Sequence, residues 1–166
     1  MRRSKQPAPS RTTLEAQAER LVATYSDMIL RLSYTYLGST ADAEDICQTV
    51  LLRVMTKAPE FNDPEHERAW IIRTTANACK DLLRSSARCT TVALEAAGEP
   101  EAPAEPDGTV SDAVARLPRD QRLAIHLHYF EGLPVAQIAR ITKASEGAIN
   151  KRLSRARQTL RITLGA

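Results

Sequence analysis

The sequence contains few of the residues from which catalytic, metal and redox sites are built. Three cysteines are spread over 166 residues, and no C-x-x-C pair points to zinc binding or thiol exchange. His66, His126 and His128 have no carboxylate or cysteine partner at helical spacing, and the glycines form no phosphate-cradling loop. We therefore expect a binding protein and not an enzyme, with no catalytic residue, cofactor or metal site.

Long hydrophobic runs are also lacking. No apolar stretch approaches the length of a membrane span, and the start MRRSKQPAPSR has no apolar core of the kind that a signal peptide needs. The chain is nevertheless globular in composition, with 43% hydrophobic and 26% charged residues. These features predict a cytoplasmic protein without a membrane span.

Helical periodicity dominates the sequence, because no segment alternates with period two for long enough to form a strand. Two helical blocks, 12–87 and 111–166, flank a stretch with three prolines, two glycines and five acidic residues. We therefore predict an all-α fold with two small domains, one of three to four helices and one of four. An acidic flexible linker (88–110) joins them, and a disordered tail (1–11) precedes them. The predicted helices run over about 14–37 (as one helix or two in tandem), 40–57, 64–86, 111–116, 119–131, 134–141 and 145–163.

The net charge of +3 is unevenly distributed along the chain. Residues 1–87 carry twelve Lys/Arg against eleven Asp/Glu, whereas 88–110 has one basic residue and five acidic ones. Residues 111–166 carry ten basic against four acidic residues, a net charge of +6. This distribution indicates a nucleic-acid partner, with the C-terminal domain as the main contact to phosphate.

The C-terminal sequence LPVAQIARITKASEGAINKRLSRARQTL has the pattern of a helix-turn-helix. Ser145 can cap its second helix, on which apolar residues at helical spacing predict an inner face. The outer face carries the residue types that read bases in the major groove, and Arg152 can neutralise a phosphate. The predicted DNA-binding residues are Ser145, Asn150, Lys151, Arg152, Ser154 and Arg155.

A second basic face lies on the predicted third helix, directly after a loop with aromatic and amide side chains. Such groups beside a basic row suit single-stranded DNA, whose unstacked bases need π-faces and polar edges. A solvated row of charges beside a core Trp70 would produce the same pattern. The row consists of Arg73, Asn77, Lys80 and Arg84, and the preceding side chains are Phe61, Asn62 and His66.

The predicted second helix has an inward apolar stripe and, opposite to it, a polar outer strip. The inward stripe consists of Ala43, Ile46, Cys47, Val50 and Val54. Asp45, Gln48, Thr49 and Leu52 recur at i, i+3, i+4 and i+7. Such a strip can dock a basic partner helix, with the carboxylate steering the approach and the leucine as an apolar anchor. An ordinary solvent-exposed helix face would show the same sequence pattern.

Three segments together resemble those of bacterial sigma factors. DAEDICQTVLLRV is similar to the segment that binds the clamp helices of the polymerase β′ subunit, and AWIIRTTANACKDLLR is similar to the helix that follows. LPRDQRLAIHLHYFEGLPVAQIA and GAINKRLSRAR resemble the domain that reads the −35 promoter element. The segments occur in the family's order with only a linker between them. The chain therefore resembles the minimal, extracytoplasmic-function (ECF) type over about residues 14–163.

The resemblance implies an alternative sigma factor that binds core RNA polymerase, recognises −10 and −35 elements and promotes promoter opening. The first domain, 12–87, would correspond to sigma region 2, and 111–166 to region 4. The strip from Asp45 to Leu52 would bind the β′ clamp helices, and region 4 would bind the β flap. A cognate anti-sigma factor is a further partner that the resemblance implies.

The resemblance also assigns DNA-binding roles to individual residues. Phe61, Asn62 and Asp63 would capture a flipped base of the −10 non-template strand. The basic row on the third helix would contact DNA at the upstream edge of the bubble, and the outer face of the last helix would read the −35 element. The acidic linker would follow the path that RNA takes later.

Three positions depart from the family pattern. Ala76 stands where a basic residue is common, which leaves the third helix less charged there. Thr49 replaces the usual acidic residue, which removes one electrostatic contact to β′. Asn150 stands where arginine or lysine is usual, which shifts the expected base preference at the −35 element.

Two other functions fit parts of the sequence. An autonomous helix-turn-helix regulator would use its N-terminal helices for dimerisation or sensing, and it would bind a palindrome without polymerase. It would have no need of a basic third helix. A helical adaptor without DNA contact would use the C-terminal charge of +6 only for solubility.

Overall fold

The computed structural model describes residues 11–57, 60–92 and 109–165, and over these ranges the chain is helical and contains no strand. The acidic part of the predicted linker and residues 1–10 of the predicted tail lie outside the described residues. The helices are α1 (Arg11–Leu37), α2 (Thr40–Lys57), α3 (Pro64–Val92), α4 (Val110–Ala115), α5 (Arg119–Ile125), α6 (Val135–Thr142) and α7 (Glu146–Leu164), with a π-helical turn (His126–Phe130) after α5.

The first helix is one continuous element, which decides between the two predicted forms of this segment. Gly38 ends it with a positive φ of 76°, and its N–H donates to the carbonyl of Tyr34 at 2.8 Å. The next helix is capped at once, because the Ser39 hydroxyl accepts from the N–H of Asp42 at 3.2 Å. The short break between α1 and α2 is therefore as the sequence predicts.

Helix α3 is longer than the sequence analysis predicts. It ends at Val92 and not near residue 86, so its last turns extend into the segment predicted as linker (88–110). The physical reason is that no proline or glycine stands between Pro64 and Gly98, and nothing in the local sequence stops the helix earlier.

Helices α1, α2 and α3 pack around one apolar core. Ile29, Val50, Ile71 and Ile72 are fully buried at its centre. The inward stripe of α2 that periodicity predicts is confirmed, since its members are all buried. They are Ala43, Ile46, Cys47, Val50 and Val54.

A polar cluster ties the beginning of α3 to α1. The Glu67 carboxylate accepts hydrogen bonds from Arg20 at 2.7 and 2.9 Å and from the Tyr25 hydroxyl at 2.8 Å. The hydrogen bond from Arg20 is the main cause that lowers the pKa of Glu67. Burial and the adjacent carboxylate raise the pKa of Tyr25 to about 12. The buried carboxylate is therefore ionised and fully partnered at neutral pH.

Glu67→Gln is expected to lower the free energy of unfolding at pH 7 by about 1–2 kcal/mol, because Arg20 and Tyr25 lose a charged acceptor. The pKa of Glu67 is lowered in the folded state, so its contribution is complete above the ordinary value of 4.5 and is lost as pH falls further. Urea unfolding of both proteins should therefore show a difference that narrows below that pH. Glu65→Gln, which removes an exposed carboxylate in the same turn, is the control. An equal loss in both variants would contradict the assignment.

The second domain packs α4, α5, α6 and α7 around Leu117, Leu123, Leu127, Ile138 and Ile149, all nearly or fully buried. The inner face that helical spacing predicts for the last helix is confirmed, since Ile149, Leu153 and Ala156 are buried. The predicted continuous helix over 119–131 is wrong in detail, because α5 ends at residue 125 and the next five residues form a π-helical turn.

The π-helical turn overturns one expectation about histidine. In this geometry the N–H of Glu131 donates to the carbonyl of His126 at 3.1 Å, five residues earlier. The two side chains then meet, with His126 Nε2 at 3.4 Å from Glu131 Oε1. The expectation that His126 has no carboxylate partner is therefore wrong, because it considered only the i+3 and i+4 spacing of an α-helix.

The two domains pack against each other. Their buried apolar residues form one connected cluster, in which α1 contacts α5 and α3 contacts α6. Polar contacts also cross the boundary: Arg122 donates to the carbonyl of Thr35 at 3.0 Å, and Arg68 donates to Glu131 at 2.7 Å. The described parts of the chain thus form a closed arrangement.

Candidate nucleic-acid and polymerase interfaces

The helix-turn-helix turn is built by backbone geometry and a cap. Lys143 ends α6 in the left-handed region, at φ 56° and ψ 41°. This conformation costs a non-glycine residue about 1 kcal/mol. The Ser145 hydroxyl then accepts from the N–H of Ala148 at 3.1 Å and so caps α7, as the sequence predicts. The turn therefore fixes the direction in which α7 leaves the domain.

Ser145→Ala is expected to destabilise the protein by about 1 kcal/mol, because α7 loses its N-terminal cap. Thermal unfolding followed by circular dichroism measures the change. Ser154→Ala, on the exposed middle of the same helix, is the control and should leave the melting temperature almost unchanged. A loss that is no larger than in the control would contradict the capping role.

The outer face of α7 is open to solvent. Asn150, Lys151, Ser154 and Arg155 are exposed, while the apolar residues of the opposite face lie in the core. Arg152 differs from them, because its side chain is only 29% exposed and its guanidinium lies 3.1 Å from the Asp120 carboxylate. Four of the predicted reading residues are thus free to reach DNA, and the predicted phosphate contact is paired within its own domain.

The basic row on α3 is divided by the second domain. Arg73 and Arg84 are exposed, and Arg84 lies 3.5 Å from Asp81. Asn77 and Lys80 are only half-exposed. Burial lowers the pKa of Lys80; Asp120 of the second domain opposes this shift, and nearby cations add to it. Of this row, Lys80 is thus partly covered beside the second domain, and Arg73 and Arg84 remain exposed.

A cleft of about 650 Å³ lies between the two domains at this row. Lys80 and Arg84 line it from α3, and Arg119 and Asp120 line it from the second domain. Asp120 also pairs with Arg152, so the beginning of the reading helix stands next to the cleft. Two of the cations predicted to bind the −10 element, Lys80 and Arg84, therefore face Arg119 and Asp120 of the second domain across one opening.

The loop before α3 is anchored by aromatic contacts. Phe61 is partly buried and makes edge contacts with Trp70 and His66, at ring-centre distances of 5.9 and 5.5 Å. Asp63 caps α3, because its carboxylate accepts from the N–H of His66 at 2.7 Å. Asn62 is exposed at the tip. Of the three predicted base-capturing residues, two therefore also have structural partners.

The predicted polymerase-binding strip of α2 is exposed. Asp45, Gln48 and Thr49 face solvent, and Leu52 is 61% exposed although it is a large apolar residue. The opposite face of α2 lies in the core. The four residues thus form one continuous surface on a rigid helix, as the helical spacing predicts.

An apolar groove on the second domain is a feature that the sequence analysis missed. It has a volume of about 390 Å³, and Tyr129 and Phe130 at its rim are 54% and 64% exposed. The adjacent aromatics at the end of a helix were the available signal, but the groove forms only when α4, the π-helical turn and α7 come together. It is lined by Val110, Val114, Ile125, Tyr129, Phe130, Arg157, Leu160, Arg161 and Leu164.

The cysteine thiols that the structure describes are structural in character. Cys47 and Cys79 are buried and free, and burial raises the pKa of Cys79 to about 11. Within the described ranges, no group of three or more metal-ligating side chains is gathered in one place. No helix in the same part of the chain is long and apolar enough to cross a membrane.

Comparison with known families agrees with this architecture. Residues 21–89 match the family model of Sigma-70 region 2, and residues 108–160 match that of Sigma-70, region 4. These two regions coincide with the domains that carry the strip, the basic row and the helix-turn-helix.

Curated relatives narrow the class. The ECF RNA polymerase sigma factor SigL of Mycobacterium tuberculosis is 30% identical over 161 residues, which covers 90% of this chain and 91% of the relative. BldN of Streptomyces coelicolor is 32% identical over 85% of this chain. The chain belongs to the family of ECF RNA polymerase sigma factors. It spans 58% of the length of BldN and 39% of a probable sigma factor, RfaY, from Xanthomonas campestris.

Solved structures share the fold. The sigma factor RpoE from Bartonella quintana, solved with the anti-sigma factor NepR, superposes with a TM-score of 0.73 at 22% identity, covering 90% of this chain and 98% of that one. CnrH, solved with the cytosolic domain of CnrY, gives a TM-score of 0.62 at 23% identity, covering 92% of this chain and 95% of that one. The arrangement of two helical domains is therefore a fold that the sigma factor RpoE shares.

Proposed function

We propose that this chain acts as an alternative sigma factor. It binds core RNA polymerase in the bacterial cytoplasm, directs it to promoters with −10 and −35 elements, and promotes their opening. The observation that supports this most is the exposure of two predicted surfaces, the strip on α2 and the outer face of α7, on domains in the family's order. The chain works by binding and carries out no chemistry of its own.

The strip of Asp45, Gln48, Thr49 and Leu52 binds the β′ clamp helices. The exposed carboxylate of Asp45 attracts basic side chains of the partner helix. Leu52, a large apolar side chain that is exposed in the free chain, supplies an apolar contact to the same helix. Thr49 brings no charge, so the interaction rests on Asp45 and Leu52 more than the family pattern implies.

The outer face of α7 reads the −35 element in the major groove. Lys151 and Arg155 can donate hydrogen bonds to guanine. The Asn150 amide can form two hydrogen bonds with adenine, one as donor and one as acceptor. Arg152 reaches a phosphate once it leaves Asp120, and phosphate contacts of this kind set position without reading sequence.

The loop and the basic row of α3 act at the −10 element. Asn62 lies exposed at the tip beside Phe61 and Asp63, where an extruded base can meet polar edges and an aromatic ring. Arg73, Asn77, Lys80 and Arg84 then hold the backbone of the opened strand. Unpairing costs a few kcal/mol per base, which the trapped base and the phosphate contacts offset.

The apolar groove of the second domain binds the β flap of the polymerase. Its exposed aromatic rim suits an amphipathic helix laid into a groove. With α2 bound to β′ and the groove to the flap, polymerase holds both DNA-binding domains at a set separation. Two weak contacts then act together on one promoter.

An inhibitory partner is part of the proposal. The sigma factor RpoE, which shares this fold, has been solved in complex with the anti-sigma factor NepR, and the exposed surfaces on this chain would serve such a partner. Affinity capture of the chain from its host under non-inducing conditions should recover a stoichiometric inhibitor. If polymerase is the only partner recovered with the chain, this result would argue against an inhibitory partner.

Reconstitution with core polymerase tests the function as a whole. Core enzyme from the source organism is mixed with the purified chain, promoter fragments are selected from that organism's DNA, and unpaired thymines near the start site are probed chemically. Opening that requires both core and chain is the expected result. Tight duplex binding by the chain alone, with no opening when core is added, would support an autonomous regulator instead. Absence of any salt-sensitive DNA binding would favour the adaptor.

A further inference from the structure

The cleft between the two domains has the size of a small-molecule site. Its volume is about 650 Å³, and ligand sites in proteins commonly measure about 300–1,000 Å³. Helices α1 and α3 form one wall, and the beginning of α5 forms the other. Cations and apolar side chains both line it, so the cleft suits a ligand that has a charged part and an apolar part.

Positive charge is concentrated around this cleft. Lys80 and Arg84 line it from α3, and Arg119 lines it from the second domain. Arg152 and Lys143 also act on Lys80, because burial is the main cause that lowers its pKa and the charges of these two residues add to the shift. Five cations therefore surround one opening.

These cations are only partly neutralised by the protein itself. Asp120 lies 3.1 Å from Arg152, and Asp81 lies 3.5 Å from Arg84. Within the described part of the chain, the other three cations form no ion pair. A surplus of positive charge is thus left for a ligand with several negative charges, and a phosphate chain is a ligand of this kind.

A tyrosine of α1 lines the same cleft. Tyr36 is only 6% exposed, and among the described residues its hydroxyl forms no hydrogen bond. Burial is the main cause that raises the pKa of Tyr36; the charge of Asp120 raises it further, while Arg119 and Arg152 oppose the shift. The hydroxyl is therefore protonated at neutral pH, lies near these charges and is able to donate a hydrogen bond to a ligand oxygen.

We propose that this cleft binds a nucleoside polyphosphate. The cations hold the phosphate chain, and the Tyr36 hydroxyl donates to one of its oxygens. Leu83 and Pro118 supply an apolar wall against which a base can lie. The site goes beyond the proposed function and does not depend on it, because binding is measured on the free chain.

The DNA backbone is the other source of phosphate for these cations, since Lys80, Arg84 and Arg152 are also proposed to bind the promoter. The test therefore changes two positions outside the proposed DNA and polymerase surfaces. Tyr36→Phe removes one hydroxyl and keeps the ring, and Arg119→Ala removes an exposed cation at the beginning of α5. Arg31→Ala is the matched control, because it removes an exposed cation of α1 that does not line the cleft.

Titration calorimetry of the full chain with ATP measures the affinity of the site. Tyr36→Phe and Arg119→Ala are each expected to weaken ATP binding about tenfold, because a contact to a charged phosphate is lost. Arg31→Ala should bind ATP like wild type. Pyrophosphate and adenosine each carry only one part of the ligand, and each should bind about tenfold more weakly than ATP. Circular dichroism verifies that every variant is folded.

A single-stranded deoxyoligonucleotide, titrated in parallel and followed by fluorescence anisotropy, separates free nucleotide from DNA. Tyr36→Phe should bind it like wild type, and Arg119→Ala should lose no more affinity for it than Arg31→Ala does. If Tyr36→Phe weakened the binding of ATP and of the oligonucleotide equally, the cleft would serve DNA and the proposal would be overturned.

The remaining outcomes address the site itself. No ATP binding by wild type, or equal binding by wild type, Tyr36→Phe and Arg119→Ala, would overturn it. A loss in Arg31→Ala as large as in Arg119→Ala would show attraction by net charge and no defined site. Pyrophosphate binding as tight as that of ATP would overturn the assignment of a nucleoside.

Discussion

Asp45→Lys combined with Gln48→Ala is expected to abolish stable binding to core RNA polymerase. Asp45 is exposed on a rigid helix and supplies the acid of a strip in which Thr49 carries no charge. Reversing it places a cation against a basic partner helix, and such like-charge contact costs several kcal/mol. Because Leu52 is unchanged in this variant, the loss of affinity for core reports the polar contacts of the strip and not its apolar anchor. Core binding is measured by fluorescence anisotropy or gel filtration at fixed salt.

The control for this variant is Glu19→Lys, which makes the same charge change on exposed α1 without touching the strip. It should bind core like wild type and have the same far-ultraviolet spectrum. The double variant should also remain folded, because both of its positions point away from the core. Undiminished binding of Asp45→Lys/Gln48→Ala to core would show that polymerase uses another surface.

Lys151→Ala combined with Arg155→Ala is expected to weaken recognition of the −35 element by about 3 kcal/mol, more than a hundredfold in affinity. Both side chains are exposed on the outer face of α7 and have no acidic partner among the described residues, in contrast to Arg152. Core binding should be unchanged, because the strip on α2 is untouched. Binding of the holoenzyme to duplex promoter fragments measures the loss.

The comparison that separates base reading from charge uses a second DNA and a second variant. Arg116→Ala removes one exposed cation at the C-cap of α4, a helix that packs against α7. The Arg116→Ala substitution should lower the affinity for either DNA only slightly. On a promoter whose −35 element is scrambled, wild type and the double variant should differ much less than on the intact element. An equal loss on both DNAs would show that the two residues contact phosphate alone.

Much of the fold could be predicted because its causes are local. The break at Gly38, the cap at Ser145 and the inward stripe of α2 each depend on a few neighbouring residues, and all three are present as predicted. The exposed strip and the outer face of α7 follow from the same periodicity, since burying one face of a helix leaves its opposite face to solvent. The sequence by itself therefore determined the helices and the faces that they present.

Other features were outside the reach of periodicity. The π-helical turn inserts one residue into the register, and this change brings His126 to Glu131. Local propensity does not specify such a turn, because its hydrogen bonds are poorer than those of an α-helix and persist only where packing supports them. The apolar groove likewise needs three elements that are distant in sequence.

Only the tertiary structure decided which cations are free. Arg73 and Lys80 belong to one row, yet Arg73 is exposed and Lys80 is half-covered by the second domain. Arg68 pairs with Glu131 across 63 positions of chain. The physical reason is that a helical pattern records the neighbours of a residue on its own helix. The packing of one domain on another depends on the sum of many weak contacts between surfaces that the chain brings together only on folding.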